Sequence, residues 1–73
     1  MKNWIIYDDS VRKVHVVQEY ECGIDWRYDT GFITYYVTNS DCFGSQVDAL
    51  NELKNRLDRA LQAVTERLEL LNE

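Results

Sequence analysis

The last thirty residues of the chain decide its fold, and residues 44–73 read GSQVDALNELKNRLDRALQAVTERLELLNE. Apolar residues that repeat every three and four positions form one stripe of an amphipathic helix. Taking Leu50 as a heptad d position, the a and d positions are Val47, Leu50, Lys54, Leu57, Leu61, Val64, Leu68 and Leu71. Ser45 is typical of a helix N-cap, and no proline interrupts the stretch. The pattern predicts one long helix over residues 44–73.

Segments rich in β-forming residues precede this helix. Trp4–Tyr7 is a short apolar run, and residues 8–10 (Asp-Asp-Ser) favour a tight turn after it. Residues 11–22 alternate between apolar and polar side chains, which predicts a long strand with Cys22 on its inward face and Val17 out of phase.

The next segments predict a hairpin. Residues 24–28 alternate, and residues 29–31 (Asp-Thr-Gly) favour a type I turn whose glycine takes a positive φ in a G1 bulge. Residues 32–38 then form the returning strand. In an alternative pairing, residues 11–20 lie directly beside residues 32–38, so three and four strands both remain open.

Strands followed by one helix, without a parallel crossover, predict an α+β fold. We expect an antiparallel β-meander of three to four strands followed by one long C-terminal amphipathic helix. The chain is short enough for a single domain over residues 1–73, with the sheet in residues 1–43 and the helix in residues 44–73.

The predicted helix is longer than the predicted sheet. About 27 helical residues span roughly 40 Å, whereas strands of about seven to ten residues span roughly 23 to 33 Å. One end must therefore overhang, and we expect a homodimer through the C-terminal half of the helix, because Lys54 disfavours the first half. The expected interface residues are Leu61, Val64, Leu68 and Leu71. The alternative is a monomer whose longer sheet covers the stripe.

Composition limits the functions that fit. Thirteen acidic and eight basic residues give a net charge of -5, and no basic block is present, so direct nucleic-acid binding is not expected. No apolar run is long enough to span a membrane, and the first residues do not resemble a signal peptide. We expect a cytoplasmic protein whose two cysteines are thiols.

The side chains that carry chemistry are few. His15 is the one histidine, and no nucleophile or acid accompanies it in the sequence. Cys22 and Cys42 are twenty residues apart, which matches no zinc-ligand pair. Aspartates near turns are explained by backbone hydrogen bonding. We therefore expect no catalytic residue, no cofactor and no metal.

Aromatic residues suggest a contact surface. The chain has nine of them, and the consecutive Tyr35 and Tyr36 must point to opposite faces of a strand. Tyrosine and tryptophan dominate binding hot spots, and acidic residues surround them here. The expected partner-binding residues are Asp25, Trp26, Asp29, Tyr35, Asp58, Glu66 and Glu69. The alternative is that the dimer, or the stems of Arg12 and Arg27, cover these aromatics.

Two resemblances accompany these patterns. Residues 41–53 (DCFGSQVDALNEL) resemble the strand-to-helix passage of HicB-type antitoxin domains, which implies an antitoxin that masks a small toxin. The size, acidity and helix-covered sheet are similar to small phage-encoded anti-defence proteins, including anti-CRISPR proteins, which implies an inhibitor of a larger host protein or nucleic-acid-handling complex. We therefore expect a non-catalytic acidic inhibitor, with the antitoxin or autoregulatory module as the alternative.

Overall fold

The computed structural model describes residues 2–72. The elements in chain order are strands β1 (Trp4–Tyr7), β2 (Ser10–Lys13), β3 (His15–Glu19), β4 (Gly23–Arg27) and β5 (Tyr35–Thr38), a short 3-10 helix (Asn39–Asp41), strand β6 (Cys42–Phe43) and helix α1 (Gln46–Leu71). The strands form two antiparallel sheets of three strands each. The predicted α+β fold of antiparallel strands followed by one helix is confirmed, but residues 2–72 contain six strands in two sheets rather than three to four strands. The predicted bounds at Met1 and Glu73 lie outside the described residues.

The first sheet has the strand order β2-β1-β6. Its hairpin pairs Trp4 with Lys13 at the open end and Tyr7 with Ser10 at the closed end. The two residues left in the turn, Asp8 and Asp9, have φ angles of 52° and 58°. Positive φ at both central residues is the signature of a type I′ turn, whose twist matches that of the strands.

The second sheet has the order β3-β4-β5, and the chain enters it without a turn. Val14 separates β2 from β3, its side chain is buried, and its N–H donates to the Asn3 carbonyl at 2.9 Å. The single long strand predicted over residues 11–22 is therefore divided between two sheets. Since β4 lies between β3 and β5, the alternative pairing of residues 11–20 with residues 32–38 does not occur.

A bulge changes which residues of β3 face inward. The pairing with β4 shifts register between Val16 and Gln18, so Val17 is an extra residue and is exposed. A bulge moves all later residues to the opposite face. This explains why Cys22 is exposed although alternation from Val14 placed it inside.

The hairpin of β4 and β5 has the predicted pairing but a longer connection. Ile24 pairs with Val37, and Trp26 pairs with Tyr35. The turn begins where predicted, since the Gly31 N–H donates to the Tyr28 carbonyl at 3.0 Å. No glycine among residues 2–72 has a positive φ, so the predicted G1 bulge is wrong. The strand resumes at Tyr35 rather than at residue 32.

One hydrophobic core joins the two sheets. It is made of Ile5, Val14, Ile24, Trp26, Val37 and Cys42, with Val16, Tyr28 and Tyr35 packed against it. These residues come from β1, β4, β5, β6 and the point where the chain changes sheet. The sheets are therefore held together by shared side chains and not by a common strand ladder.

Helix α1 begins at its predicted cap and then leaves the sheets. The Ser45 hydroxyl accepts a hydrogen bond from the Asp48 N–H at 3.2 Å. The first turns pack on β1, β2 and β6, and Ala49 is fully buried there. Every residue from 57 to 72 is exposed. We call residues 2–56 the sheet body and residues 57–72 the helix arm; together they measure 51 × 22 × 22 Å.

Candidate functional site

The clearest candidate for a functional surface is the apolar stripe of α1, which the sheets do not cover. Seven apolar side chains at heptad positions a and d are between 48% and 74% exposed. We call them the free seam: Val47, Leu50, Leu57, Leu61, Val64, Leu68 and Leu71. Monomeric proteins rarely expose a contiguous apolar surface of this kind, and such patches mark interaction sites. The predicted overhang of the helix is confirmed.

The free seam and the sheets lie on different sides of the helix. Ala49 and Leu53, which face the first sheet, are buried and half-buried. At about 100° per residue, their direction is roughly 110° away from that of Val47 and Leu50. The free seam therefore runs along both halves of α1, whereas the sequence indicated a separate interface only in the C-terminal half.

Arg56 marks the place where the helix leaves the sheet body. Its Nη1 lies 2.7 Å from Asp41, its Nε 3.2 Å from Glu52, and its Nη2 donates to the Ser40 carbonyl at 2.8 Å. The hydrogen bond to Asp41, with a smaller contribution from Glu52, raises the pKa of the guanidinium. The charged side chain of Arg56 thus links α1 to Ser40 and Asp41, which precede β6.

Trp26 is the centre of the sheet body and not part of its surface. The side chain is fully buried, and its ring is stacked on Tyr35 with centroids 4.9 Å apart. Tyr7 and Tyr28 meet it edge-on at 5.2 and 5.1 Å. The expectation that Trp26 contacts a partner is wrong for the folded chain, because strand alternation does not indicate which face is covered. Half-buried Tyr35 is mainly a core residue as well.

The outer face of the second sheet carries a pair of tyrosines. Tyr20 donates to the Asp25 carboxylate at 2.6 Å, and Tyr36 donates to the Cys22 sulfur at 3.0 Å. The hydrogen bond to Asp25 raises the pKa of Tyr20, and the bond to Cys22 raises the pKa of Tyr36 to about 12. The two rings lie 6.3 Å apart. Asp25 is thus occupied by a hydrogen bond within the sheet body.

The most exposed aromatic side chain lies in the connection between β4 and β5. Phe32 is 99% exposed, and the neighbouring Ile33 is 65% exposed. Asp29, a predicted contact residue, is exposed in the same loop. The β-forming residues of the segment 32–38 predicted Phe32 in a strand, so the sequence did not indicate this surface. The aspartate, threonine and glycine that precede Phe32 were the available signal for a loop, because such residues end strands. We call residues 29–34 the apolar tip.

The predicted acidic contacts of the helix lie outside the free seam. Glu66 and Glu69 occupy heptad positions f and b, and Asp58 occupies position e. All three are exposed in the helix arm, where Gln62 donates to the Glu66 carboxylate at 3.2 Å. Glu66 and Glu69 therefore lie away from the free seam, whereas Asp58 at position e borders it.

Side chains suited to metal binding or catalysis are scattered. No group of three or more histidine, cysteine or acidic side chains converges among residues 2–72. An open surface cleft of about 560 Å³ is lined by Asp8, Asp9, Asp41 and Arg56 among others. His15 is exposed and lines a different cavity from these residues. Across the described part of the chain, no helix has the length and apolarity needed to cross a membrane.

The chain matches no protein-family model, no curated protein and no solved structure in the comparisons made with each.

Proposed function

We propose that this chain is a non-catalytic, acidic binding protein that inhibits a larger host protein or nucleic-acid-handling complex, as phage anti-defence proteins do. It acts in the cytoplasm of the host cell, as a homodimer joined through α1. The observation that carries the proposal is the presence of two apolar surfaces, the free seam and the apolar tip, on a chain with a net charge of -5.

The two apolar surfaces suit different partners. The free seam is long, straight and repetitive, which fits another helix with the same repeat. The apolar tip is small and protruding, and a fully exposed phenylalanine gains most by entering a pocket of a folded target. We assign the free seam, including Leu61, Val64, Leu68 and Leu71, to the homodimer and the apolar tip to the target.

Charge determines the kind of target. Two copies carry a net charge of twice -5, or -10, and Asp29, Asp58, Glu66 and Glu69 are exposed. A negatively charged surface is steered towards a positively charged one, such as a channel that holds phosphates. Because this steering is screened by salt, binding weakens as ionic strength rises.

The free energy gained by burying the free seam is of the same order as the free-energy cost of association. Full burial of a leucine or valine side chain contributes about 1.5–3 kcal/mol. Since each side chain of the free seam is already partly covered, we take about 1 kcal/mol for each. The four residues of the C-terminal half then give about 8 kcal/mol for two copies, against an association cost of about 4–15 kcal/mol.

The test is capture of the target by the purified chain from host extract at low and high salt, followed by mass spectrometry. Wild type is compared with a Phe32→Ser, Ile33→Ser double variant and with the control Thr34→Ser, an exposed residue of the same loop. We expect the same protein to be retained by wild type and control at low salt and lost by the double variant. Retention of no protein at low salt would contradict the proposal.

Inhibition is tested separately from binding. Cells with an active nucleic-acid-targeting defence are transformed with a targeted plasmid, with and without expression of the chain. We expect more transformants with wild type and Thr34→Ser than with the double variant. Equal numbers in the presence and absence of wild type, across the defence systems of its host, would contradict the inhibitor function.

The alternative function is an antitoxin or autoregulatory module. The exposed pair of Tyr20 and Tyr36 on the outer face of the second sheet favours it, because such a face suits a small protein partner. A toxin encoded beside this chain would then stop growth when expressed alone. Coexpression of the wild type would restore growth, and a Tyr20→Ser, Tyr36→Ser variant would not.

A further inference from the structure

The free seam offers the same kind of surface at both ends of α1. Val47 is 65% exposed and Leu50 48% exposed although they lie beside the first sheet, and the residues of the helix arm are exposed to similar extents. A partner that covered only the helix arm would leave Val47 and Leu50 in water. The occupant of the free seam must therefore be about as long as the helix itself.

The area of the surface also favours a full-length contact. A leucine or valine side chain removes roughly 60–120 Å² from water when fully buried, and about half of that here. Four residues of the free seam then supply roughly 200 Å² per copy and seven supply about 350 Å², before flanking side chains are added. A standard interface buries about 800 Å² per partner, so the shorter contact supplies about a quarter of that area and the full-length contact a little under half.

Lys54 decides the orientation of two such helices. In a parallel pair, a positions face a positions, so Lys54 would meet Lys54 of the second copy inside the apolar contact. In an antiparallel pair, a positions face d positions, and each lysine meets an apolar side chain. The residue that disfavours a parallel pair is therefore compatible with an antiparallel one.

One antiparallel register covers the whole free seam. It pairs Val47 with Leu71, Leu50 with Leu68, Lys54 with Val64, and Leu57 with Leu61. Its two-fold axis passes beside residue 59. The two copies of Lys54 are then ten residues apart along the helix axis, or about 15 Å, which exceeds the screening length of about 10 Å at 0.1 M salt.

We propose that a second copy of this chain packs antiparallel along the entire free seam from Val47 to Leu71, with the two-fold axis beside Arg59. The sheets lie about 110° away from the start of the free seam and leave room for the second helix. The pairing places the two sheet bodies at opposite ends of the dimer, each with its own apolar tip. The inference rests on the homodimer of the proposed function and makes that dimer bivalent towards its target.

Distances between spin labels test this arrangement. The label is attached through Arg59→Cys or Asn72→Cys in a Cys22→Ser background, because Cys22 is exposed and would also be labelled, whereas Cys42 is buried. Both positions are exposed and lie outside the free seam. In the proposed register the labels at residue 59 are level with each other, and those at residue 72 are about 39 Å apart along the axis.

Each outcome decides the proposal. The proposal is supported by a label-to-label distance at residue 59 that reflects only the width of the two-helix pair, together with a longer distance near 40 Å at residue 72. Short distances at both positions mean a parallel pair, and a long distance at residue 59 means a different register; either result overturns the proposal. No distance at either position, with a monomeric mass, also overturns it. The capture of a target by a monomeric chain would then leave the binding function standing without this dimer.

Discussion

The sheet body and the helix arm obtain their stability in opposite ways. In the sheet body, short strands are held by a shared core around Trp26, and Arg56 fastens the helix to the loop before β6. The helix arm has the more regular sequence, yet all of its residues are exposed. Isolated helices of about 15 residues are marginal in water. Regular secondary structure and tertiary support are therefore separate properties, and the sheet body covers no residue of the helix arm.

The largest expected effect of a single change lies in the sheet body. Trp26→Ala removes the ring that Tyr7, Tyr28 and Tyr35 contact, and we expect a loss of about 3–5 kcal/mol in the free energy of unfolding. That is a large part of the stability of a small domain. Urea unfolding at fixed protein concentration measures it.

Phe32→Ala is the matched control for Trp26→Ala. It removes an aromatic ring that is 99% exposed, and we expect a change within about 0.5 kcal/mol. Similar losses from the two substitutions would mean that Trp26 is not the centre of the sheet body.

The second effect lies in the helix arm. Leu68→Asp places a charge in the free seam of both copies, and we expect the dissociation constant of the dimer to rise by about 100-fold or more, since each tenfold step is 1.4 kcal/mol. Amide hydrogens of residues 57–71 should then exchange faster, while those of the strands keep their protection.

Leu70→Asp is the control for Leu68→Asp. Leu70 is 72% exposed but occupies heptad position c, outside the free seam. We expect little change in association or in hydrogen exchange. Equal weakening by the two substitutions would contradict the assignment of the interface to positions a and d.

A smaller effect of opposite sign is expected in the first hairpin. Asp9 has a φ of 58°, a conformation that glycine adopts more easily, so Asp9→Gly should stabilise the sheet body by about 0.5–1 kcal/mol. The urea midpoint should rise while the dissociation constant of the dimer stays the same. Asp9→Ala, which has no short polar side chain to favour this conformation, should destabilise the chain instead.

The smallest effect concerns Tyr36. Its neutral phenol donates to Cys22, which raises its pKa to about 12. The stabilisation from this bond is complete below about pH 10 and is lost as pH rises through about 12. An ultraviolet titration should show one tyrosine near pH 12, and Cys22→Ala should move it towards 10. The same titration in Leu68→Asp should be unchanged, because the bond lies within one sheet body.

The helix was predictable from sequence and the division of the sheet was not. The spacing of the free seam and the cap at Ser45 are local signals, and both appear at the predicted residues. The change of sheet at Val14 is not local, because an alternating segment reads the same whether it pairs with one sheet or two. Val17, out of phase in the sequence, was the one local sign of the bulge.

The candidate site was predictable only in part. Helix length against strand length predicted the overhang, since both follow from fixed rises per residue. The burial of Trp26 was missed because both faces of residues 24–28 carry large side chains. Burial there depends on contacts with Tyr7 and Tyr35, which are distant in sequence.

Whether a second copy covers the free seam is tested most directly by the mass of the purified wild type, measured by sedimentation equilibrium over a wide range of concentrations. The chain has a mass of 8.7 kDa, and the free seam predicts a species of twice that mass that dissociates on dilution. A species that stays at 8.7 kDa up to millimolar concentration would contradict the claim that a second copy covers the free seam.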